Sequence, residues 1–277
     1  MTLAGLVGPP PTPEGPTTQP QGAGATPAPV GGLPSPRRQS ALRRLTNSPA
    51  TLGLIILTAL VFLLQLVTTQ LYGTDVVMAL GAKVNEAIAG GQLWRLITPI
   101  FIHAGVIHLL VNMYSLYALG PAVESFFGSP RMLVLFLLSG IAGVILSLAL
   151  SPYASVGASG AIFGLLGALG AFLFLHRSTL GRWGSVQLRQ IIFVAVLNLG
   201  LGLTPGIDNW GHLGGLLAGT ALAWFLGPRL EAVWVDAFRF QLRDRRRWRD
   251  VWPGSIVAVG ILALLAWLAT RSPFNGG

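Results

Sequence analysis

The sequence predicts an all-α, polytopic membrane protein. Three observations carry that prediction: 52% of the 277 residues are apolar, only 10% are charged, and the apolar residues gather into seven long runs. Soluble chains carry about 25% charged residues. A chain with so few, and a mean hydropathy of +0.66, has too little polar surface to stay dispersed in water. In lipid a helix satisfies its own backbone, so long apolar runs read as helices.

Residues 1–46 are rich in Pro, Gly, Thr and Gln and hold few large apolar side chains. Such a segment buries too little apolar surface to offset its ordering entropy, and it is expected to be a disordered tail. The first apolar run, 51–71, starts too late for a cleavable leader and reads as a span. Six more lie near 103–122, 131–151, 159–175, 188–204, 210–227 and 254–270. Each approaches or meets the roughly 20 residues a helix needs to cross a bilayer. Residues 47–228 then form a six-helix core, 229–253 a basic loop, and 254–277 a seventh helix with a short tail. The connection 72–102 mixes Leu80, Ile88 and Trp94 with polar residues and is expected to lie partly in the membrane interface.

Charge orients the spans. With the N-terminus in the cytoplasm, 15 of the 18 basic residues fall on inner segments; only Lys83, Arg95 and Arg271 fall outside. The positive-inside rule favours this orientation, and seven spans then put the C-terminus outside. The loop 229–253 interleaves arginines with Trp234, Phe238, Phe240 and Trp248. It is read as a surface for anionic lipid, not for nucleic acid. Cysteine is absent, which excludes disulfides, thiolate metal sites and a cysteine nucleophile.

Polar groups inside spans default to function. In this topology spans two, four and six begin at the outer face. Span four opens with Gly157-Ala158-Ser159-Gly160, and span six with Asp208-Asn209-Trp210-Gly211-His212. Span two carries His103, His108 and Asn112. These residues are expected in one layer. Gly160 and Gly164 in span four, and Gly211, Gly215 and Gly219 in span six, repeat every four residues. Stripes of this kind let helix backbones approach closely in lipid. If the stripes pack, Ser159 meets His212 as a nucleophile meets a base. The helix start at Ser159 offers unpaired N–H groups to an oxyanion. His108 and Asn112, four apart on one face, are side-chain donors to the same charge.

A lone serine in a membrane helix more often packs or bonds back to its backbone. The three histidines could hold a metal, but there is no H-E-x-x-H and no mid-span acid to join them. Glu124 and Asp208 lie at opposite span ends, which argues against a paired-aspartate protease. Asn198 and Gln65 read as interhelical hydrogen-bond formers, and His176 as a solvated residue at the inner end of span four. Asp208, one turn before His212, is kept as a helix cap or a minor orienting group.

Over residues 51–227 the chain resembles the rhomboid intramembrane proteases. Gly157-Ala158-Ser159-Gly160 is similar to their G-x-S-G nucleophile motif, and His212-Leu213-Gly214-Gly215 to their base-bearing sixth span. His103, His108 and Asn112 fit H-x-x-x-x-H-x-x-x-N, Trp94-Arg95 the W-R pair of the first outer loop, and Glu124 with Gly128 a structural E-x-x-x-G. The resemblance implies a Ser159–His212 dyad without an acidic third member. It implies an oxyanion site at His108 and Asn112, and Phe163 against the catalytic histidine. It implies a six-helix rhomboid core plus one helix, no cofactor and no metal. The substrates would be transmembrane segments of other proteins, cut near the outer face of a prokaryotic inner membrane. A catalytically silent client-binding relative and a seven-span receptor or transporter are the alternatives. The tail and the seventh span inherit nothing from the resemblance, and the oligomeric state is open.

Overall fold

The computed structural model describes residues 45–234, 240–246 and 248–272. Almost all of the proline-rich segment expected to be disordered lies outside them. So do Phe238 and the side chains of Trp234, Phe240 and Trp248.

The first long helix is α1 (Pro49–Tyr72). The connection that follows is folded, with two short helices, α2 (Val76–Gly81) and α3 (Asn85–Ala89), and two 3₁₀ turns. Five further helices complete the core: α4 (Val106–Phe127), α5 (Ser129–Leu150), α6 (Ser159–Leu175), α7 (Arg177–Leu201) and α8 (Asn209–Leu226). An antiparallel hairpin, β1 (Leu230–Trp234) with β2 (Phe240–Asp244), occupies the basic segment where only a loop is predicted. The last helix is α9 (Trp248–Ala269).

α1, α4, α5, α7 and residues 249–269 of α9 are long and apolar enough to cross a membrane. α7 and α9 both start before the apolar runs that predict them. Hydropathy marks only the lipid-facing part of a helix, and polar first turns extend beyond it. α7 also breaks at Gly181, whose φ of 57° no regular helix adopts.

α6 is the central helix, packed against α4, α5, α7 and α8. Its residues from Ala161 to Leu169 are all buried. The outward faces of the other helices carry large apolar residues such as Leu57, Leu60, Leu110, Phe193 and Leu264. Polar residues such as Thr51, Gln65, Asn112 and Glu124 lie inside. That polarity suits a chain whose solvent is hydrocarbon.

Glycine sets the closest contact. A methyl group added to Gly215 would collide with the carbonyl of Gly160, and one on Gly219 with the carbonyl of Gly164. The expected stripes therefore do face each other. α5 joins them: a Cβ on Gly143 would lie 2.5 Å from Gly211 O, and Ser139 fills the space beside Gly164.

At the opposite end of the bundle from Ser159, the carboxylate of Glu124 on α4 caps α1. It accepts from the backbone N–H of Ala50 (2.8 Å) and Thr51 (2.9 Å), and from the hydroxyls of Thr51 (2.8 Å) and Ser129 (2.7 Å). Ser48, the N-cap residue, makes no side-chain cap of its own. A helix start needs acceptors and favours negative charge. Glu124→Gln keeps the shape but turns an NH₂ towards these donors. It should lower stability by about 2–4 kcal/mol, measured by SDS unfolding in mixed micelles.

Candidate active site

Ser159 is the first residue of α6, and His212 lies in the first turn of α8. The close glycine contact brings the two helix starts together, and His212 Nε2 lies 2.8 Å from Ser159 Oγ. Phe163, one turn along α6, stacks on the imidazole with centroids 4.5 Å apart and planes at 15°. The ring is fixed between a hydroxyl and a phenyl face. Its Nδ1 is buried and makes no hydrogen bond to the described residues. Asp208 does not reach it; its Oδ1 accepts from Gly211 N–H (2.9 Å) as the N-cap of α8. Of the two roles kept open for Asp208, the cap is the one its side chain performs.

The α6 start has no side-chain cap, so its first N–H groups lack the partner that a capping residue supplies. His108 lies beside Gly157, two residues before Ser159. Gly157, at φ 131°, lies flat against the His108 ring: a Cβ there would sit 2.7 Å from Cε1 and 2.8 Å from Nε2. Ala104 N–H donates to His108 Nδ1 at 3.4 Å. An accepting Nδ1 leaves the proton of a neutral ring on Nε2, the nitrogen beside Gly157. That N–H is a donor next to the serine.

Asn112 is buried in α4, but its Nδ2 donates back to His108 O (2.9 Å). One amide hydrogen is thereby committed to its own helix. His103 is buried with its ring 5.0 Å from that of His108, at 60°. Its backbone is clamped by Gln65 of α1, which accepts from His103 N–H (3.0 Å) and donates to His103 O (2.9 Å). Gln65 is the interhelical tie expected of it. Asn198 is not: it bonds Val194 O in its own helix, the common resting place for a polar side chain facing lipid.

The W-R pair serves the folded connection. Arg95 donates to Ala82 O, Ala79 O and Gln92 Oε1, and Trp94 Nε1 donates to Leu80 O. Gly160, Gly211 and Gly215 act through the helix contact already described. His176 departs from expectation. It is 5% exposed, and its Nε2 accepts from Leu230 N–H (3.0 Å) while Nδ1 meets Phe172 O (2.9 Å). The unpredicted hairpin folds back over this end of α6 and takes the histidine out of solvent. No group of three or more His, Cys, Asp and Glu side chains able to hold a metal occurs among the described residues.

A cavity of about 30 Å³ opens beside the pair, lined among others by Ser155, Gly157, Ser159, Asp208 and His212. About 10–15 Å³ holds a water, so the cavity has room for one next to the Ser159 hydroxyl.

Residues 90–229 match the family model of the Rhomboid domain, half of the chain. The chain belongs to the rhomboid family. It is a multi-pass membrane protein of that family, 44% identical over 174 residues to Rhomboid protease GluP of Bacillus subtilis (strain 168), covering 62% of this chain and 34% of the relative. To RHOMBOID-like protein 4 of Arabidopsis thaliana it is 35% identical over 187 residues, 67% of this chain and 47% of the other. Rhomboid-like protease 3 of Toxoplasma gondii is 36% identical over 156 residues, 56% of this chain and 59% of that one. The chain thus spans a third to about three-fifths of these relatives.

Gly157→Ala tests the donor side of this rhomboid site. The added methyl strains a left-handed backbone and displaces His108. Capture of a fluorophosphonate by Ser159 should slow at least about tenfold, with the melting temperature in detergent nearly unchanged.

Proposed function

We propose that this chain is an intramembrane serine endopeptidase that hydrolyses peptide bonds in or near transmembrane segments of other membrane proteins. Ser159 is the nucleophile and His212 the base. The single observation that carries this reading is the 2.8 Å contact between Nε2 and Oγ at two half-buried helix starts.

The hydroxyl is a poor nucleophile until its proton has somewhere to go. As Oγ attacks the scissile carbonyl carbon, the proton passes to His212 Nε2. The carbonyl oxygen becomes an oxyanion facing the N–H groups of the α6 start, with His108 Nε2–H and the remaining Asn112 amide hydrogen as side-chain donors. On collapse His212 returns the proton to the leaving amine. Water from the adjoining cavity then repeats the cycle on the acyl-enzyme. Phe163 holds the imidazole in plane throughout. Every step uses side chains, backbone and water.

The charge distribution supports a cytoplasmic N-terminus and a catalytic layer near the outer face, with the C-terminus outside if all seven runs cross. The arginine-rich segment around Arg229, Arg245 and Arg249 then meets the anionic inner leaflet. A prokaryotic inner membrane is the proposed location. It rests on the short polar loops, since relatives of comparable identity come from a bacterium and a plant.

Ser159→Ala and His212→Ala should each reduce cleavage of a single-span test substrate in proteoliposomes by at least about 10⁴-fold. Both should abolish fluorophosphonate capture. A folded wild type that neither captures the probe nor cleaves would instead point to a silent client-binding rhomboid.

A further inference from the structure

Lys83 is the only lysine among the 18 basic residues, and it is fully buried at 0% exposure. It lies between α2 and α3 and takes no part in the chemistry above. Its Nζ donates to Ser151 O (2.9 Å), Tyr153 O (2.8 Å) and Ser147 O (3.3 Å). Ser147 stands in the last turn of α5 and its carbonyl also accepts from Ser151 N–H (2.8 Å), while Ser151 and Tyr153 follow the helix end. An ammonium has three N–H donors and no acceptor, and three carbonyls meet them. The backbone of the same residue pairs antiparallel with Ser155: Lys83 N–H donates to Ser155 O (3.0 Å), and Ser155 N–H to Lys83 O (3.1 Å). Beyond it, Gly157 N–H donates to Pro99 O (2.8 Å).

The segment between α5 and α6 is therefore fastened at alternate residues. Lys83 holds Ser151, Tyr153 and Ser155; Pro99 holds Gly157. The next helix opens with Ser159. Ser155, Val156 and Gly157 also wall the cavity beside the hydroxyl. A neutral amide can serve such a tie, as Asn85 Nδ2 does at Ser151 O (3.0 Å). A buried cation is the costlier choice, and it pulls harder on the carbonyl dipoles at a helix C-terminus.

We propose that Lys83 is a positioning residue for the nucleophile: its ammonium ties down the α5–α6 segment and so aims Ser159 and Gly157 at the reacting carbonyl. This rests on the serine-protease reading. Burial pushes the Lys83 ammonium down to about 8, against the attraction of Asp208 and Glu86. Those are the carboxylates whose charge reaches it, from the α8 cap and from α3; the Tyr153 phenol is turned to solvent at 78% exposure. The tied, protonated form dominates below that pH and is lost as pH rises through it. A neutral amine has two N–H groups for three carbonyls, so the segment loosens on the alkaline side.

Because the chain has one lysine, ¹⁵N-lysine labelling gives a single side-chain Nζ resonance to titrate in micelles. In wild type this resonance should titrate near 8. The kcat for a single-span substrate should fall with the same midpoint between about pH 7 and about pH 10, with KM steady within about twofold. Lys83→Met should lower kcat about 100-fold at neutral pH, abolish the alkaline limb and slow fluorophosphonate capture in parallel. If that variant does not fold, the coincidence of the two wild-type titrations decides alone. A kcat that stays level while Nζ titrates, or a folded Lys83→Met with wild-type kcat, overturns the proposal. A wild type that neither captures the probe nor cleaves overturns the protease reading and this one with it. An active wild type indifferent to Lys83 overturns this one only.

Discussion

The backbone-to-backbone contact of α6 and α8 is the interaction on which the rest depends. Ser159 and His212 are 53 residues apart in the chain, and only the separation of two helix axes sets the distance between their side chains. Helices ordinarily pack 8–10 Å apart, spaced by the side chains between them. At Gly160, Gly164, Gly215 and Gly219 that layer is missing, and each helix rests on the other's carbonyls. A hydrogen bond weakens within a few tenths of an ångström. A single methyl in this seam displaces an axis by more than the Ser159–His212 hydrogen bond tolerates.

A second rule governs the polar residues. In water they would face outward; here they turn inward and close backbone ends that lipid cannot hydrate. Glu124 caps the start of α1, Asp208 the start of α8, and Lys83 with Asn85 the end of α5. Arg95 gathers two carbonyls of the folded connection, and His176 holds the first N–H of the hairpin. The start of α6 at Ser159 has no side-chain cap, and neither do the starts of α4, α5 and α7.

Much of this was legible from side-chain type and spacing. The positions of most helices follow from hydropathy, the α6–α8 pairing from four-residue glycine repeats, and the meeting of Ser159 with His212 from both together. What escaped was set by tertiary context. The β1–β2 hairpin lies in an arginine-rich stretch whose composition reads as solvated, and with it His176 passed for a surface residue. Asn198 differs from Gln65 only in which way its helix faces. Lys83 reads from the sequence as a charge on an outer segment, although a sole lysine in an arginine-rich chain is a signal. Gly143 and Ser139 complete the seam from α5, but a third helix cannot be assigned from the repeats of two.

Ser159 and the glycine seam share one helix, and this makes α6 a device of fixed phase. Each residue turns a helix by about 100°. Adding or deleting one position between Ser159 and Gly164 would swing the hydroxyl away while the glycines kept their seat, or unseat the glycines while the hydroxyl stayed. A single-residue insertion in that interval therefore breaks one fit or the other. Beyond the seam the constraint on α6 is a different one, to bring His176 to the Leu230 N–H.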